Sequence, residues 1–303
     1  MAVMRWPSRR IALPAVRRWI EAVANAPVSA RPEILRSKSW GVTARFRAGD
    51  RDVVFKASFT PLFPAAPAVE AVLARAAPEH VAPFVAHDVD DDRVWLLYES
   101  VAGETLERLY DPPRLTLLAR TLAEVQARAA ETDLRAIPLV RPRDVPSLLL
   151  DDGLVDQPRD LVRWLSARRE TLEERARELE RFPLSLDHPD VNVSNALLTP
   201  EGVIVVLDWE ETTVGCPFFS LDRLLGHAQE VGALTETRAA YAAAFPYGTP
   251  SERERALDIA HCVAPLKLAW EARLFARALR LDDPHSAYTT QLLAAARDRS
   301  GVQ

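Results

Sequence analysis

The residues of this chain best suited to chemistry lie in one loop and at the end of the strand that follows it. Asp190 is followed five residues later by Asn195, and Asp208 comes directly after the apolar run 203–207. A carboxylate can orient and deprotonate a hydroxyl, while an amide oxygen and a second carboxylate can hold the magnesium that neutralises a transferring phosphate. These residue types and spacings predict phosphoryl transfer, with Asp190 as the catalytic base and Asn195 and Asp208 as metal ligands.

The segment between Asn195 and Asp208 predicts a tight hairpin. Residues 196–199 and 203–207 are short apolar runs, and Pro200-Glu-Gly202 between them is a turn sequence. Asn195 would then begin one strand and Asp208 would end the other. We therefore expect the two candidate metal ligands to lie close together.

The same segment resembles a known family. His188-Pro-Asp190-Val-Asn-Val-Ser-Asn195 fits the H-x-D-x-x-x-x-N loop of the protein-kinase-like superfamily. Asp208-Trp-Glu210 resembles the D-x-D/E metal site of the aminoglycoside phosphotransferase and choline kinase branch. Residues 215–222 resemble that branch's G-D-P…D-L segment, with Cys216 in place of Asp, and no activation segment ending in A-P-E follows. The chain therefore resembles the small-molecule branch more than it resembles protein kinases.

This resemblance implies an α+β, two-lobed, protein-kinase-like fold. Residues 1–100 would form a small lobe with an N-terminal helix, an antiparallel sheet and one glutamate-bearing helix. Residues 101–303 would form a larger, mainly helical lobe with the catalytic loop, the metal site and the acceptor pocket. Hydrophobic spacing agrees, since strand-like runs dominate up to residue 99 and helical spacing dominates after Gly103. The proline-rich segment 136–152 is expected to be a loop.

Lysine usage singles out Lys56, which ends an apolar strand. The chain has three lysines, Lys38, Lys56 and Lys267, among 38 basic residues, so a lysine within a strand invites a specific role. Its ammonium is a compact point charge suited to phosphate. The resemblance implies that Lys56 grips the nucleotide phosphates and that Glu70, in the next predicted helix, steadies it. An edge-strand lysine and a solvated helix glutamate remain alternative interpretations.

Five further residues are expected to bind the nucleotide. Ser39 and Gly41 lie in a predicted turn whose backbone N–H groups could cover phosphates, although a plain hairpin turn is equally compatible. The resemblance implies that backbone groups of Glu99 and Val101 bind the adenine edge and that Leu197 forms a floor beneath the base. ATP is the expected donor, with GTP possible, and Mg²⁺ is the expected metal.

The acceptor is expected between the catalytic loop and the C-terminal helices. A carboxylate-lined pocket there would favour a cationic or polyhydroxyl acceptor. Glu271 could instead pair with Arg273 or Arg277 on the surface. Asp222 is expected to brace the catalytic loop by accepting backbone hydrogen bonds. The predicted acceptor-binding residues are Glu210, Glu211, Glu230, Trp270 and Glu271.

Composition excludes several other classes of protein. With 303 residues, 48% of them hydrophobic, the chain can bury a large core, and a net charge of −5 gives no reason to expect a nucleic acid partner. No apolar run approaches the roughly 20 residues of a membrane span. Two cysteines cannot form a disulfide framework, which fits a cytoplasmic protein.

These observations predict an ATP-dependent kinase that phosphorylates a hydroxyl group of a small molecule, an antibiotic or a metabolite. A protein or peptide kinase and a nucleotide-binding pseudokinase acting through a partner are the alternatives. A carboxylate-metal hydrolase would account for Asp190 and Asp208 but would leave Lys56 and Glu70 without a role.

Overall fold

A computed structural model of the protein describes residues 4–5, 10–38, 40–59, 62–90, 93–279 and 286–301. In these residues, strands dominate up to residue 99 and helices dominate the remainder, which confirms the predicted α+β, two-lobed fold class. The strands are β1 (Met4–Arg5), β2 (Arg10–Ile11), β3 (Val28–Ser37), β4 (Gly41–Ala48), β5 (Arg51–Phe59), β6 (Phe84–Asp90), β7 (Arg93–Glu99), β8 (Glu104–Thr105), β9 (Ser185–Asp187), β10 (Ala196–Leu198), β11 (Ile204–Val206) and β12 (Thr213–Gly215). The helices are α1 (Leu13–Ala24), α2 (Ala66–Ala76), α3 (Pro112–Ala129), α4 (Val145–Asp151), α5 (Arg159–Arg177), α6 (Asp222–Glu230), α7 (Leu234–Ala244), α8 (Pro250–Leu279) and α9 (Ser286–Arg299).

The small lobe is an antiparallel sheet with strand order β3-β4-β5-β7-β6. Strand β4 alternates, with Val42, Ala44 and Phe46 buried. These side chains pack with Val16 and Ile20 of α1 in one hydrophobic cluster. Because successive side chains of a strand point to opposite faces, the other face of the sheet is left for the cleft between the lobes.

The large lobe is built around α3 and α8. Leu118 and Leu122 of α3 are fully buried in the main hydrophobic cluster, to which the 30-residue helix α8 also contributes. The prediction that residues 136–152 form a loop is wrong in one part, because residues 145–151 form helix α4. Val145 and Leu149 bury the apolar face of this helix. No helix in the described ranges is long and apolar enough to cross a membrane.

The chain passes between the lobes through Gly103. A Cβ atom added to Gly103 would lie 2.7 Å from the backbone oxygen of Leu198, closer than real Cβ contacts. This approach follows from the pairing of β8 with β10, in which Leu198 lies opposite Glu104. Gly103 is therefore docked on the hairpin formed by β10 and β11, called here the catalytic hairpin, and the division of the chain into 1–100 and 101–303 stays a prediction.

Candidate active site

The catalytic loop connects β9 to β10 and fixes the carboxylate of Asp190 on both sides. Asn192 Nδ2 donates to Asp190 Oδ1 and Asn195 Nδ2 donates to Asp190 Oδ2, each at 2.9 Å. The Asn192 side-chain oxygen in turn accepts the backbone N–H of Ser194 at 2.8 Å. Since Asn195 uses its amide nitrogen to hold Asp190, its amide oxygen is the atom suited to bind a cation.

His188 braces this loop and has no nitrogen left for proton abstraction. Its Nε2 lies 2.9 Å from the carbonyl oxygen of Leu207, which can only accept, so Nε2 carries the proton. Its Nδ1 accepts the backbone N–H of Asp190 at 3.2 Å. Burial lowers the pKa of His188, which favours this neutral form. The geometry favours Asp190 over His188 as the base.

A buried polar network holds the loop from behind. The Ser220 hydroxyl accepts the His188 backbone N–H at 2.8 Å and Gln126 Nε2 at 2.9 Å, and it donates to Asp187 Oδ1 at 2.9 Å. Asp222 instead binds Arg299 at 2.5 Å, so its predicted bracing role is wrong. Ser220 occupies the centre of this network and was missed because a lone serine carries no sequence signal.

Lys267 neutralises the rear of the site from helix α8. Its ammonium is buried, lies 2.9 Å from Asp187 Oδ2 and forms an ion pair with Glu271. Burial opposes its charge, but the two carboxylates outweigh burial and raise the pKa of Lys267 above its usual value. The rarity of lysine that singled out Lys56 applies equally to Lys267, so this residue could have been found from the sequence.

At the other side of the cleft, Lys56 of β5 binds two carboxylates of the opposite lobe. Its Nζ lies 2.8 Å from Asp208 Oδ1 and 3.0 Å from Glu210 Oε1. The predicted Lys56–Glu70 ion pair is not formed, since Glu70 accepts a hydrogen bond from the Tyr98 hydroxyl at 2.9 Å. Burial raises the pKa of Glu70 to about 7. The nearer carboxylates of Asp208 and Glu210 take the place expected for Glu70.

Asp208 is held in an unusual backbone conformation. Its φ of 63° and ψ of 40° are left-handed, which costs a residue other than glycine on the order of 1–3 kcal/mol. The β10–β11 hairpin pairs Ala196 with Val206, and the Leu207 N–H donates to the Asn195 carbonyl at 2.8 Å. Asn195 and Asp208 therefore lie at the same end of the hairpin, as the sequence predicted.

A carboxylate and an amide oxygen at one hairpin end fit Mg²⁺, a hard cation that prefers oxygen ligands. Among the described residues, no group of three or more His, Cys, Asp or Glu side chains could hold a metal by itself. A magnesium ion at Asn195 and Asp208 would thus complete its coordination with phosphate oxygens and water, which is the usual arrangement for this ion.

A cavity of about 360 Å³ lies between the sheet and the catalytic hairpin. Among its lining residues are six of the predicted nucleotide and metal residues, namely Lys56, Glu70, Glu99, Val101, Leu197 and Asp208. Gly41 is not one of them; it begins β4 opposite Ser58 of β5, and its carbonyl oxygen accepts the Lys38 backbone N–H at 2.8 Å, as in a plain hairpin turn. Ser39 lies outside the described residues.

The five residues predicted to bind the acceptor differ in their surroundings. Glu210 is buried beneath the sheet, where it accepts the Ser58 hydroxyl at 2.6 Å and binds Lys56. Glu230 is exposed at the end of α6, with an oxygen 3.5 Å from His227 Nδ1. Trp270 is half-buried against the main core. Glu210 and Glu230 therefore lie in different surroundings, one buried and one exposed, and an acceptor pocket that includes both stays a prediction.

Glu211 and Glu271 do lie on the Asp190 side of the cleft. Burial, together with the charges of Asp190, Glu210 and Glu271, raises the pKa of Glu211 to about 8. Burial also raises the pKa of Glu271, one of whose carboxylate oxygens is buried without a hydrogen-bond partner. The electrostatics of this region disfavour additional negative charge and favour a cation.

Two residues that sequence reasoning missed contact Asp190 directly or through one neighbour. Arg223 Nη1 lies 2.9 Å from Asp190 Oδ1, and Arg223 Nη2 donates to the Tyr288 hydroxyl at 2.9 Å. Because arginine is the common cation of this chain, nothing in the sequence singles out Arg223. Glu271 could also have paired with Arg273 or Arg277, but those two arginines bind carboxylates of residues 152–156.

Most of the sequence matches a known protein family. The model described as the phosphotransferase enzyme family (APH) matches residues 34–257, which is most of the chain. This protein belongs to the phosphotransferase enzyme family. Membership makes it an enzyme that transfers phosphate to a hydroxyl group, in agreement with the resemblance of the catalytic loop. No curated protein matches the sequence.

Solved phosphotransferase structures share the fold of this protein. Spectinomycin phosphotransferase APH(9)-Ia, in complex with ADP and spectinomycin, is 8% identical, with a TM-score of 0.59 over 96% of this chain and 99% of the other. Macrolide 2′-phosphotransferase MphH from Brachybacterium faecium is 21% identical, with a TM-score of 0.58 over 96% and 98%. A thermostable mutant of aminoglycoside phosphotransferase APH(4)-Ia, in ternary complex with ADP and hygromycin B, is 17% identical, with a TM-score of 0.56 over 95% and 100%. At these sequence identities, the similarity between this phosphotransferase and the three solved structures shows a shared fold.

Proposed function

We propose that this phosphotransferase moves the γ-phosphoryl group of ATP to a hydroxyl of a small amine-bearing molecule. The observation that carries the proposal is the cavity, which extends from Glu99 and Val101 to Lys56 and Asp208. Its backbone-lined end suits a base and its charged end suits phosphates. The solved structures of spectinomycin phosphotransferase and of APH(4)-Ia contain ADP, which supports a nucleotide in this cleft.

Asp190 would orient the acceptor hydroxyl and take its proton. Its two oxygens are held by Asn192 and Asn195, so the carboxylate is positioned before the acceptor arrives. Lys56 would hold the phosphates, and Asn195 and Asp208 would hold Mg²⁺. When bound, the ion would neutralise negative charge on the phosphates. Arg223 would have to release Asp190 Oδ1 for a hydroxyl to reach that oxygen.

The acceptor would carry a cationic amine near its reactive hydroxyl. Glu211 and Glu271 offer carboxylate oxygens on the Asp190 side, and a cation there would offset the burial and the charge repulsion that raise the pKa of Glu211. Structures of the relatives contain spectinomycin and hygromycin B. An antibiotic or an amine-bearing metabolite is therefore the class of acceptor to test first.

Release of ADP or GDP from ATP or GTP should be measured across a panel of amine-bearing and uncharged hydroxyl compounds. We expect acceptor-dependent ADP release with the amine-bearing compounds. Asp190→Asn should lower the rate by about 10²–10⁴ because a base is lost. ATP binding should be unchanged, and Asp50→Asn, in an exposed turn, is the matched control. Nucleotide cleavage to inorganic phosphate at the same rate with every compound would contradict the proposal and indicate a hydrolase.

The metal assignment is tested separately by titrating ATP with and without Mg²⁺. Asp208→Ala should remove the gain in ATP affinity that Mg²⁺ gives to the wild-type protein, because Asn195 alone cannot hold the ion. An undiminished magnesium effect in this variant would place the metal elsewhere, with Glu210 the nearest carboxylate bound to the same lysine.

A further inference from the structure

Arg36 reaches across the cleft from β3 to the candidate metal ligand. Its Nη1 lies 2.9 Å from Asp208 Oδ2, while Lys56 Nζ lies 2.8 Å from Asp208 Oδ1. Cations from two strands of the small lobe therefore bind both oxygens of this carboxylate. Arg36 matches no part of the catalytic motifs and comes 172 residues before Asp208.

A β-bulge aims Arg36 at this position. Strand β3 pairs Ile34 with Ala44, and the register then shifts by one residue, so that Arg36 and not Leu35 lies opposite Thr43. Thr43 pairs with Lys56 on its other side, which puts Arg36, Thr43 and Lys56 in one row on one face of the sheet. Thr43 and Lys56 both line the cavity.

Without the one-residue shift, Arg36 would lie opposite Val42. That residue is buried on the other face, in the hydrophobic cluster with α1. A one-residue change of register moves every side chain to the opposite face, and bulges are used in this way beside active sites. The bulge therefore delivers a guanidinium to the cleft that a regular ladder would have turned away from it.

The ion pair between Arg36 and Asp208 does not by itself explain why a bulge directs Arg36 into the cleft. The side chains of Arg36 and Asp208 are 45% and 32% exposed, and ion pairs that are this exposed contribute little to stability. A guanidinium, on the other hand, matches phosphate oxygens with parallel N–H donors. Lys56, in the same row, is the residue already expected to hold phosphates.

We propose that Arg36 is a second phosphate-binding residue that changes partners when a nucleotide enters. Without a nucleotide, its guanidinium neutralises Asp208. With a nucleoside triphosphate, it binds the terminal phosphates and leaves Asp208 Oδ2 to the metal. This inference rests on the proposed function, because it requires the triphosphate to lie at the Lys56 end of the cavity.

If Arg36 exchanges Asp208 for phosphates, its replacement should weaken the binding of ATP and strengthen the binding of Mg²⁺ alone. A residue that only stabilises the fold would not change these two affinities in opposite directions. Arg36→Gln should bind ATP in the presence of Mg²⁺ about 10-fold or more weakly, the loss expected for charge-assisted hydrogen bonds. Its affinity for AMP should be unchanged, since AMP lacks the terminal phosphates. Its affinity for Mg²⁺ without nucleotide should rise, because the ion no longer competes with a guanidinium for Asp208.

The measurements are calorimetric titrations of ATP, AMP and Mg²⁺ into the full-length wild-type protein and its variants. Arg47→Gln is the matched control, because Arg47 forms a similarly exposed pair with Asp52 in the same sheet and should change none of the three affinities. Circular dichroism verifies folding. Arg36→Lys keeps the charge but lacks the fork, and it should recover only part of the ATP affinity.

Two results would overturn the inference while leaving the proposed function intact. One is wild-type affinity of Arg36→Gln for ATP with Mg²⁺. The other is an equal loss of ATP and AMP affinity, which would mean that Arg36 shapes the cavity and does not bind terminal phosphates. If the wild-type protein itself binds no ATP, the proposed function fails first, so the two failures are distinguishable.

Discussion

Glu211→Gln should stabilise the protein, and the gain should grow as the pH rises from about 5 to 8. Burial first, and then the charges of Asp190, Glu210 and Glu271, raise the pKa of Glu211 to about 8. Below the ordinary glutamate value of 4.5, the folded and unfolded states are both protonated. Between 4.5 and about 8 only the folded state keeps the proton, so the free energy of unfolding of the wild type falls as the pH rises.

The size of this effect follows from the shift. One pKa unit corresponds to about 1.4 kcal/mol, so a rise from 4.5 to about 8 sets a ceiling of roughly 5 kcal/mol. Glu211 keeps some contact with solvent, which weakens the penalty. We therefore expect Gln to gain on the order of 2 kcal/mol at pH 8 relative to pH 5, because its neutral amide needs no counter-charge.

Urea unfolding of the wild type and Glu211→Gln at several pH values between 5 and 8 measures this difference. Glu201→Gln is the control, because Glu201 is exposed in the turn of the catalytic hairpin and its replacement should leave the pH profile unchanged. A Glu211→Gln variant whose gain does not increase with pH, or which is less stable than the wild type at pH 8, would refute the reasoning. An amine-bearing acceptor should stabilise the wild type more than the variant at pH 8.

Three further substitutions test the parts that position the site. Lys267→Met should lower the free energy of unfolding by about 3–5 kcal/mol in urea, since it leaves buried carboxylates unpaired, whereas Lys38→Met at an exposed site should have little effect. Ser220→Ala should cost about 1–3 kcal/mol by the same assay and also lower kcat, because the His188 N–H loses its acceptor; an unchanged kcat would show that the network only stabilises the fold. Gly103→Ala should destabilise the protein and weaken ATP binding through its clash with the catalytic hairpin, whereas Gly226→Ala, in an open position on α6, should raise the thermal midpoint by the equivalent of about 0.5–1 kcal/mol. Equal effects of these two glycine substitutions would contradict the close approach at residue 103.

The sequence by itself determined the chemistry and the order of the elements. Asp190, Asn195 and Asp208 could be selected because their types and spacing are local, and the hairpin between them is formed by neighbouring residues. The strand-rich start and the helical remainder follow from hydrophobic periods that are also local. The family match over residues 34–257 agrees with both.

Only the tertiary structure decided which charges meet. Lys56 binds Asp208 and Glu210, which lie more than 150 residues away, while Glu70 is held by Tyr98. The bulge that aims Arg36 depends on the register between two strands, and exposure of Glu230 depends on which side of the fold a helix end faces. Side-chain periodicity shows which residues share one face of a helix or strand, but it does not show which other segment that face contacts. Those contacts are set by packing between segments that are distant in sequence.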